Sequence, residues 1–330
     1  MAEKSEFFSS FIDIEKRMSF SLNQEISPDN FKELVGQYKL DEEVACQVRA
    51  KGGICHQKHK NGWLGVTKDG NEALIGGHCA RNYFKADKNF AIERKRVCRE
   101  INRKRNIDKI KEYKVDSLTY MEDLLNLRKE IISTREIYDD INKNFPSSVL
   151  SFIDNSRKTK KWDIKIDILK TNNKGNKNWV NGSLGTLKPL PYKYEIINLI
   201  SKIKLIIETY NEICQIDPET LSTPKSKKLI DIISEKDEIK NKIIELRDQI
   251  NNFIKIPNLE SLIYTCNDND DEYLLAKAIM ILTNSKVLTD GHINLRVRRI
   301  KERIEKQFGG YQIRRNQLID KFSTRNVFSI

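Results

Sequence analysis

The chain of 330 residues has no apolar run near the ~18 residues that cross a bilayer, so no membrane partner is expected. Its opening, MAEKSEFFSSFIDIEKRM, carries early acidic residues and lacks the apolar centre of a secretory leader. A cytoplasmic location with reduced cysteines is therefore expected. Catalytic signatures are missing too. Gly182-Ser183-Leu184-Gly185 lacks the Gly-Lys-Ser/Thr ending that holds phosphate and magnesium. There is no nucleophile elbow and no dinucleotide fingerprint. Only four histidines occur, with none between His78 and His292. That gap removes the helix ligand that a ββα-metal nuclease needs. Glu72, the nearest candidate base, is expected to be an exposed strand residue. The reading leans away from an enzyme.

Apolar residues make up 38% of the chain and charged residues 32%, above the usual quarter. That balance suits elongated helices with solvated faces. The net charge of +12 is segregated, with +7 over 85–114, +8 over 157–193 and +6 over 295–315. Basic faces of this kind attract polyanions, so nucleic acid, DNA or RNA, is the expected partner. The candidate contacts are Arg94, Lys95, Arg96, Arg99, Arg103, Lys104 and Arg105 in one row. Arg296, Arg298, Arg299, Arg303, Arg314 and Arg315 form another. Such rows give affinity rather than specificity. Trp162, Trp179 and Tyr192 could stack bases, although packing of a small hairpin explains them more simply.

What the chain does have is a concentration of metal ligands. Three of its six cysteines and three of its four histidines fall in CQVRAKGGICHQKHKNGWLGVTKDGNEALIGGHC. Structural zinc takes four Cys or His ligands in a tetrahedron, and they need not be consecutive. Cys46, Cys55, His59 and Cys79 are the preferred set, with His78 as the substitute for His59 and His56 a bystander. Cys98, Cys214 and Cys266 stand far apart and are ordinary thiols. Asp268 to Glu272 lacks the glycine and closing Glu of a calcium loop, and suits a helix start instead.

Glycines and alternation place this cluster on a knuckle, a hairpin (Trp63–Thr67 with Glu72–Ile75, turned at Lys68-Asp69-Gly70-Asn71) and a helix starting near His78-Cys79. That order resembles a treble-clef zinc finger over residues 46–90, departing from it in lacking a Cys-x-x-Cys knuckle and in having Asn82 where a second helix ligand is expected. The pieces Cys55 to Gly62 and Asp69-Gly70 to Cys79 are similar to zinc-finger-like segments of bacterial phage- and mobile-element-associated proteins. The resemblance implies a zinc ion and a mobile-element or antiviral defence setting.

The rest reads as helix. Phe7, Phe8, Phe11, Ile12 and Ile14 suit a short amphipathic helix, and Ser27-Pro28 reads as the cap of a helix through Phe31, Leu34 and Val35. The helix begun at Cys79 is expected to continue into the first basic row. Heptad-like seams follow at Leu124, Leu127, Ile131, Thr134, Tyr138 and Ile141, and at Ile196, Leu199, Ile203, Ile206, Tyr210 and Ile213. A third runs Leu229, Ile232, Lys236, Ile239, Ile243, Leu246, Ile250 and Phe253, and the last two should fold back as an antiparallel hairpin. Trp162, Ile164, Ile166 and Ile168 alternate with polar residues, predicting a β-hairpin over 162–187. Thr289-Asp290 should cap a basic helix ending at Gly309-Gly310.

The expected fold is mainly α: elongated helical hairpins or coiled coil, an N-terminal zinc-binding β-hairpin module and a small inserted β-hairpin. The expected divisions are 1–90, 91–260 and 261–330. The leading function is zinc-stabilised nucleic-acid binding. The alternative is an interaction scaffold or toxin-like effector whose heptad helices bind a protein partner or a second copy.

Overall fold

A computed structural model describes residues 5–50, 52–173, 175–283, 285 and 288–316. In chain order the elements begin β1 (Glu6–Phe8), α1 (Phe11–Glu15), β2 (Phe31–Ala45), β3 (Arg49–Ala50), β4 (Gly53–Ile54), β5 (Lys58–Thr67), β6 (Glu72–Gly76) and α2 (Gly77–Asn82). Next come α3 (Lys88–Val115), α4 (Ser117–Asn144), α5 (Ser147–Thr159), β7 (Asp163–Thr171), β8 (Lys177–Thr186) and α6 (Lys193–Gln215). The last are α7 (Thr223–Ser234), α8 (Lys236–Phe253), α9 (Ile256–Ser261), α10 (Asn269–Leu282), α11 (Asp290–Gln307) and β9 (Ile313–Arg315). The protein is mainly helical with small sheets. Among the described residues no helix is long and apolar enough to cross a membrane. The chain forms two compact units, one of residues up to Ser117 with Thr209–Ile233, the other of Leu118–Glu208 with residues from Ser234 onward.

The first unit is built on a sheet of order β1-β2-β5-β6, with β1 parallel to β2 and the other pairs antiparallel. The expected helix through Phe31, Leu34 and Val35 is instead the start of β2. Ser27 does accept one helical-type bond from the Phe31 amide, at 2.9 Å, but the turn is not continued. An i, i+3, i+4 pattern over a single turn fits either state. Here the β5–β6 hairpin needs a third strand to bury its face, and Phe31, Val35, Tyr38 and Val44 suit one. Gly36 lets β1 approach: a Cβ there would meet the Phe8 ring at 2.5 Å. The first apolar set likewise divides, Phe7 and Phe8 into β1 and the rest into α1.

One face of the sheet packs Phe31, Leu34, Cys46, Ile75 and Cys79 against Phe84 and against Phe90, Val97 and Ile101 of α3. A second cluster gathers Phe8, Ile14, Tyr38, Leu64 and Leu74. Further along α3, the Arg103 guanidinium donates to the carbonyls of Glu219 and Leu221, and the Tyr210 hydroxyl donates to the Tyr113 carbonyl at 2.8 Å. Glu72 is buried rather than exposed. Arg17 bonds both its oxygens at 2.8 and 2.9 Å, which supplies the partner that a buried carboxylate requires.

In the second unit, Leu124, Leu127, Ile131, Thr134, Tyr138 and Ile141 are the buried residues of α4. Ion pairs Lys193–Asp139 and Lys202–Glu235 with Lys236–Asp123 and Arg247–Glu130 mark α6 as antiparallel to α4 and α8 as parallel to it. The third seam breaks where Lys236 interrupted it: α7 ends at Ser234 and α8 begins at Lys236. Ile233 rather than Ile232 takes the buried position before the break. The 162–187 hairpin forms as β7–β8, and β9 adds a third strand on the far side of β7. Buried Asp167 holds β9 by accepting from Asn316 at 2.9 Å and from Arg314 at 3.4 Å.

Candidate metal centre

The thiols are gathered by a fold-back of residues 46–57. The Cys46 amide donates to the Gln57 carbonyl and the His56 amide to the Cys46 carbonyl, each at 3.0 Å. The Cys55 amide donates to Val48 at 2.9 Å, and β3 pairs with β4 between them. His56 reaches the turn with φ 51°, and Gly53 with φ 128°. Two cysteines nine positions apart in the sequence are thereby brought side by side. Gln47 anchors the fold-back, donating to the Ser21 and Gln24 carbonyls at 2.7 and 2.9 Å and accepting from the Leu74 amide at 2.8 Å. Cys79 arrives from α2, directly after β6.

The Sγ atoms of Cys46, Cys55 and Cys79 all lie within 4.8 Å of one another, and those of Cys55 and Cys79 are 3.4 Å apart. Zn–S bonds of about 2.3 Å in a tetrahedron put sulfurs roughly 3.8 Å apart. The three cysteines are thus close enough to hold a metal ion. Burial pushes the Cys46 and Cys79 thiols up from their ordinary pKa. A cation binding there must displace protons and supply the missing counter-charge. Cys98 and Cys214 stand outside this group, and Cys266 is a buried core thiol of the second unit.

The histidines are placed differently. His78 is exposed, its Nε2 2.6 Å from the Asn82 side chain, so Asn82 answers a histidine rather than a metal. His59 is half-buried on β5, with Nε2 2.5 Å from the Tyr38 hydroxyl and Nδ1 3.1 Å from the Gln57 carbonyl. Burial lowers its pKa. Burial also raises the Tyr38 phenol, and Cys46 and Cys79 nearby add to the rise. The Tyr38–His59 pair sits over two glycines facing each other in register, Gly62 and Gly76. A Cβ at Gly62 would collide with the Tyr38 hydroxyl, and one at Gly76 would lie 3.1 Å from the His59 ring. Sequence reasoning missed Tyr38 because it stands apart from the Cys/His cluster. The paired glycines were the available signal.

The helix of Cys79 does not run into the basic row. α2 stops at Asn82, and Asp87 caps α3 by accepting from the Asn89 and Phe90 amides at 2.8 and 3.2 Å. Phe84 is buried between Phe31 and Phe90, which requires a turn there.

The basic residues fall into two kinds. Arg96 is half-buried and tied to the fold: it bonds Glu93, Glu100, the Ser5 hydroxyl and the Leu34 carbonyl. Arg103 is tied to carbonyls. Arg105 lies 4.2 Å over the Phe7 ring. Arg94, Lys95, Arg99 and Lys104 are exposed and form no ion pair among the described residues. In the second unit, Arg296 and Arg303 each bond buried Glu260 at 2.8 Å. Arg314 covers the Trp179 ring at 4.0 Å, and Arg315 bonds the Cys266 carbonyl and the Asn267 side chain. Arg298 and Arg299 are exposed, with Arg298 3.6 Å from Glu302. Trp162 is buried, and Tyr192 lies near the Arg157 and Lys160 cations.

No family model matches this chain, and neither a curated protein nor a solved structure matches it.

Proposed function

We propose that the protein binds nucleic acid and that a zinc ion on Cys46, Cys55 and Cys79 stabilises its N-terminal unit. The convergence of three thiols carries the zinc part, since an all-sulfur set suits zinc better than calcium or magnesium. The ion would join the fold-back to α2. It thereby braces the sheet on which α3 docks.

The nucleic-acid part rests on Arg94, Lys95 and Arg99. They are exposed on α3 and form no ion pair among the described residues, while Arg96 between them is occupied by the fold. Lys95 and Arg99 are one turn apart on one helix face. A row of this kind meets phosphates without reading bases. The test is binding of duplex and single-stranded probes by the chain and its Arg94→Ala/Lys95→Ala/Arg99→Ala variant across salt concentrations. Each lost phosphate contact should lower the log–log salt slope by about 0.9 on duplex. An unchanged slope and affinity would reject this interface.

A further inference from the structure

Three thiolates leave a tetrahedral zinc one ligand short. We propose that His59 Nε2 is the fourth ligand and that it reaches the metal by leaving the Tyr38 hydroxyl, so that tyrosine and metal compete for one lone pair. The inference rests on the zinc reading above and adds to it a ligand and a competitor.

The imidazole is prepared for this role. With Nδ1 3.1 Å from the Gln57 carbonyl, an N–H there donates and leaves Nε2 bare. That is the state in which histidine binds metal, with its other nitrogen held by a carbonyl. The same Gln57 oxygen accepts the Cys46 amide at 3.0 Å, so one peptide group holds both the imidazole and the backbone of the first cysteine. Both groups also abut Gly76, although the His59 nitrogens stand outside the group formed by the three thiols, so the ring has to swing toward the metal. The Gly76 N–H lies 3.4 Å from Cys46 Sγ, and the His59 ring occupies the space that a side chain there would need. Neither of the other histidines in the Cys/His cluster is so placed: His78 is engaged with Asn82, and His56 is exposed in the turn.

Tyr38 is the competitor. It is almost fully buried, and its hydroxyl takes Nε2 at 2.5 Å. Since Nδ1 is the donor to Gln57, the phenol donates and Nε2 accepts. A metal therefore has to break that bond, and the phenol must then turn to another acceptor.

The test is titration of the metal-stripped full chain with Co²⁺, which takes zinc sites and reports its ligands in the visible spectrum. The expected spectrum is that of a tetrahedral site with three sulfurs and one nitrogen. His59→Ala should change the ligand-field bands and weaken binding by more than the about 10–100-fold that losing an outer-shell partner costs. Tyr38→Phe keeps every ligand and removes the competitor, so it should tighten binding roughly 2- to 10-fold. It also stands as the test if His59→Ala fails to fold. Co²⁺ bound with three sulfurs but unaltered by His59→Ala would overturn this inference and leave the zinc reading intact. Unchanged or weaker binding by Tyr38→Phe would overturn the competition. A chain taking up no Co²⁺ would overturn the zinc reading and this inference together.

Discussion

The Sγ atoms of Cys55 and Cys79 lie 3.4 Å apart, although one ends a knuckle and the other begins a helix. A disulfide requires about 2.05 Å between sulfurs, so a small movement joins them. With metal removed, mild oxidation by diamide should link Cys55 to Cys79. With zinc bound, both thiols should resist it. Mass spectrometry after alkylation distinguishes the two. Equal oxidation of these thiols with and without zinc would argue that they hold no metal.

Arg17 and Glu72 test the core of the first unit. Arg17→Ala leaves a buried carboxylate without its cation and should cost about 3–5 kcal/mol in urea unfolding. Replacing both, as Arg17→Met/Glu72→Met, should recover much of that loss. A single variant within about 0.5 kcal/mol of the parent would show that the pair does not bear on stability.

The docking of α3 on β2 should be acid-sensitive. Burial pushes the Glu93 carboxyl up, but hydrogen bonds from Arg96 and the Leu34 amide outweigh it and hold it below its ordinary value. Glu100 is likewise lowered against its burial, by Ser5 and Arg96. A carboxyl depressed in the fold contributes stability above its unfolded pKa, about 4.3, and loses it as pH falls through the folded value. Stability should therefore decline below about pH 4.5, and Arg96→Met should flatten that decline. A parent and variant with the same acid profile would contradict the assignment.

Arg103 and Lys104 are adjacent yet should behave oppositely. Arg103→Ala removes bonds to the Glu219 and Leu221 carbonyls and should lower stability, by about 1–3 kcal/mol. Lys104→Ala touches no partner among the described residues and should leave unfolding unchanged while weakening nucleic-acid binding. Thermal melts alongside binding isotherms would separate the two effects.

These cases mark what periodicity and spacing could reveal. The α4 seam from Leu124 to Ile141 was legible because six positions repeat over five turns. The β7–β8 hairpin was legible from strict alternation. Phe31 to Gly36 was not, because one turn of pattern cannot separate helix from strand when the deciding partner, β5, lies far along the chain. β9 is three residues long and held by Asp167, a contact across 147 positions that no local pattern announces. At the site, the cysteines showed themselves by rarity and crowding. Tyr38 did not, since only strand register sets it beside His59. Charge runs located the basic rows but could not tell Arg96, spent on the fold, from its exposed neighbours.

Metal content of the purified chain decides whether Cys46, Cys55 and Cys79 hold zinc. Close to one zinc per chain is expected, lost in Cys55→Ser and Cys79→Ser and retained in Cys214→Ser, whose thiol is exposed and apart from the cluster. Zinc absent from the parent and not taken up when supplied, or retained undiminished without Cys55 and Cys79, would contradict that assignment.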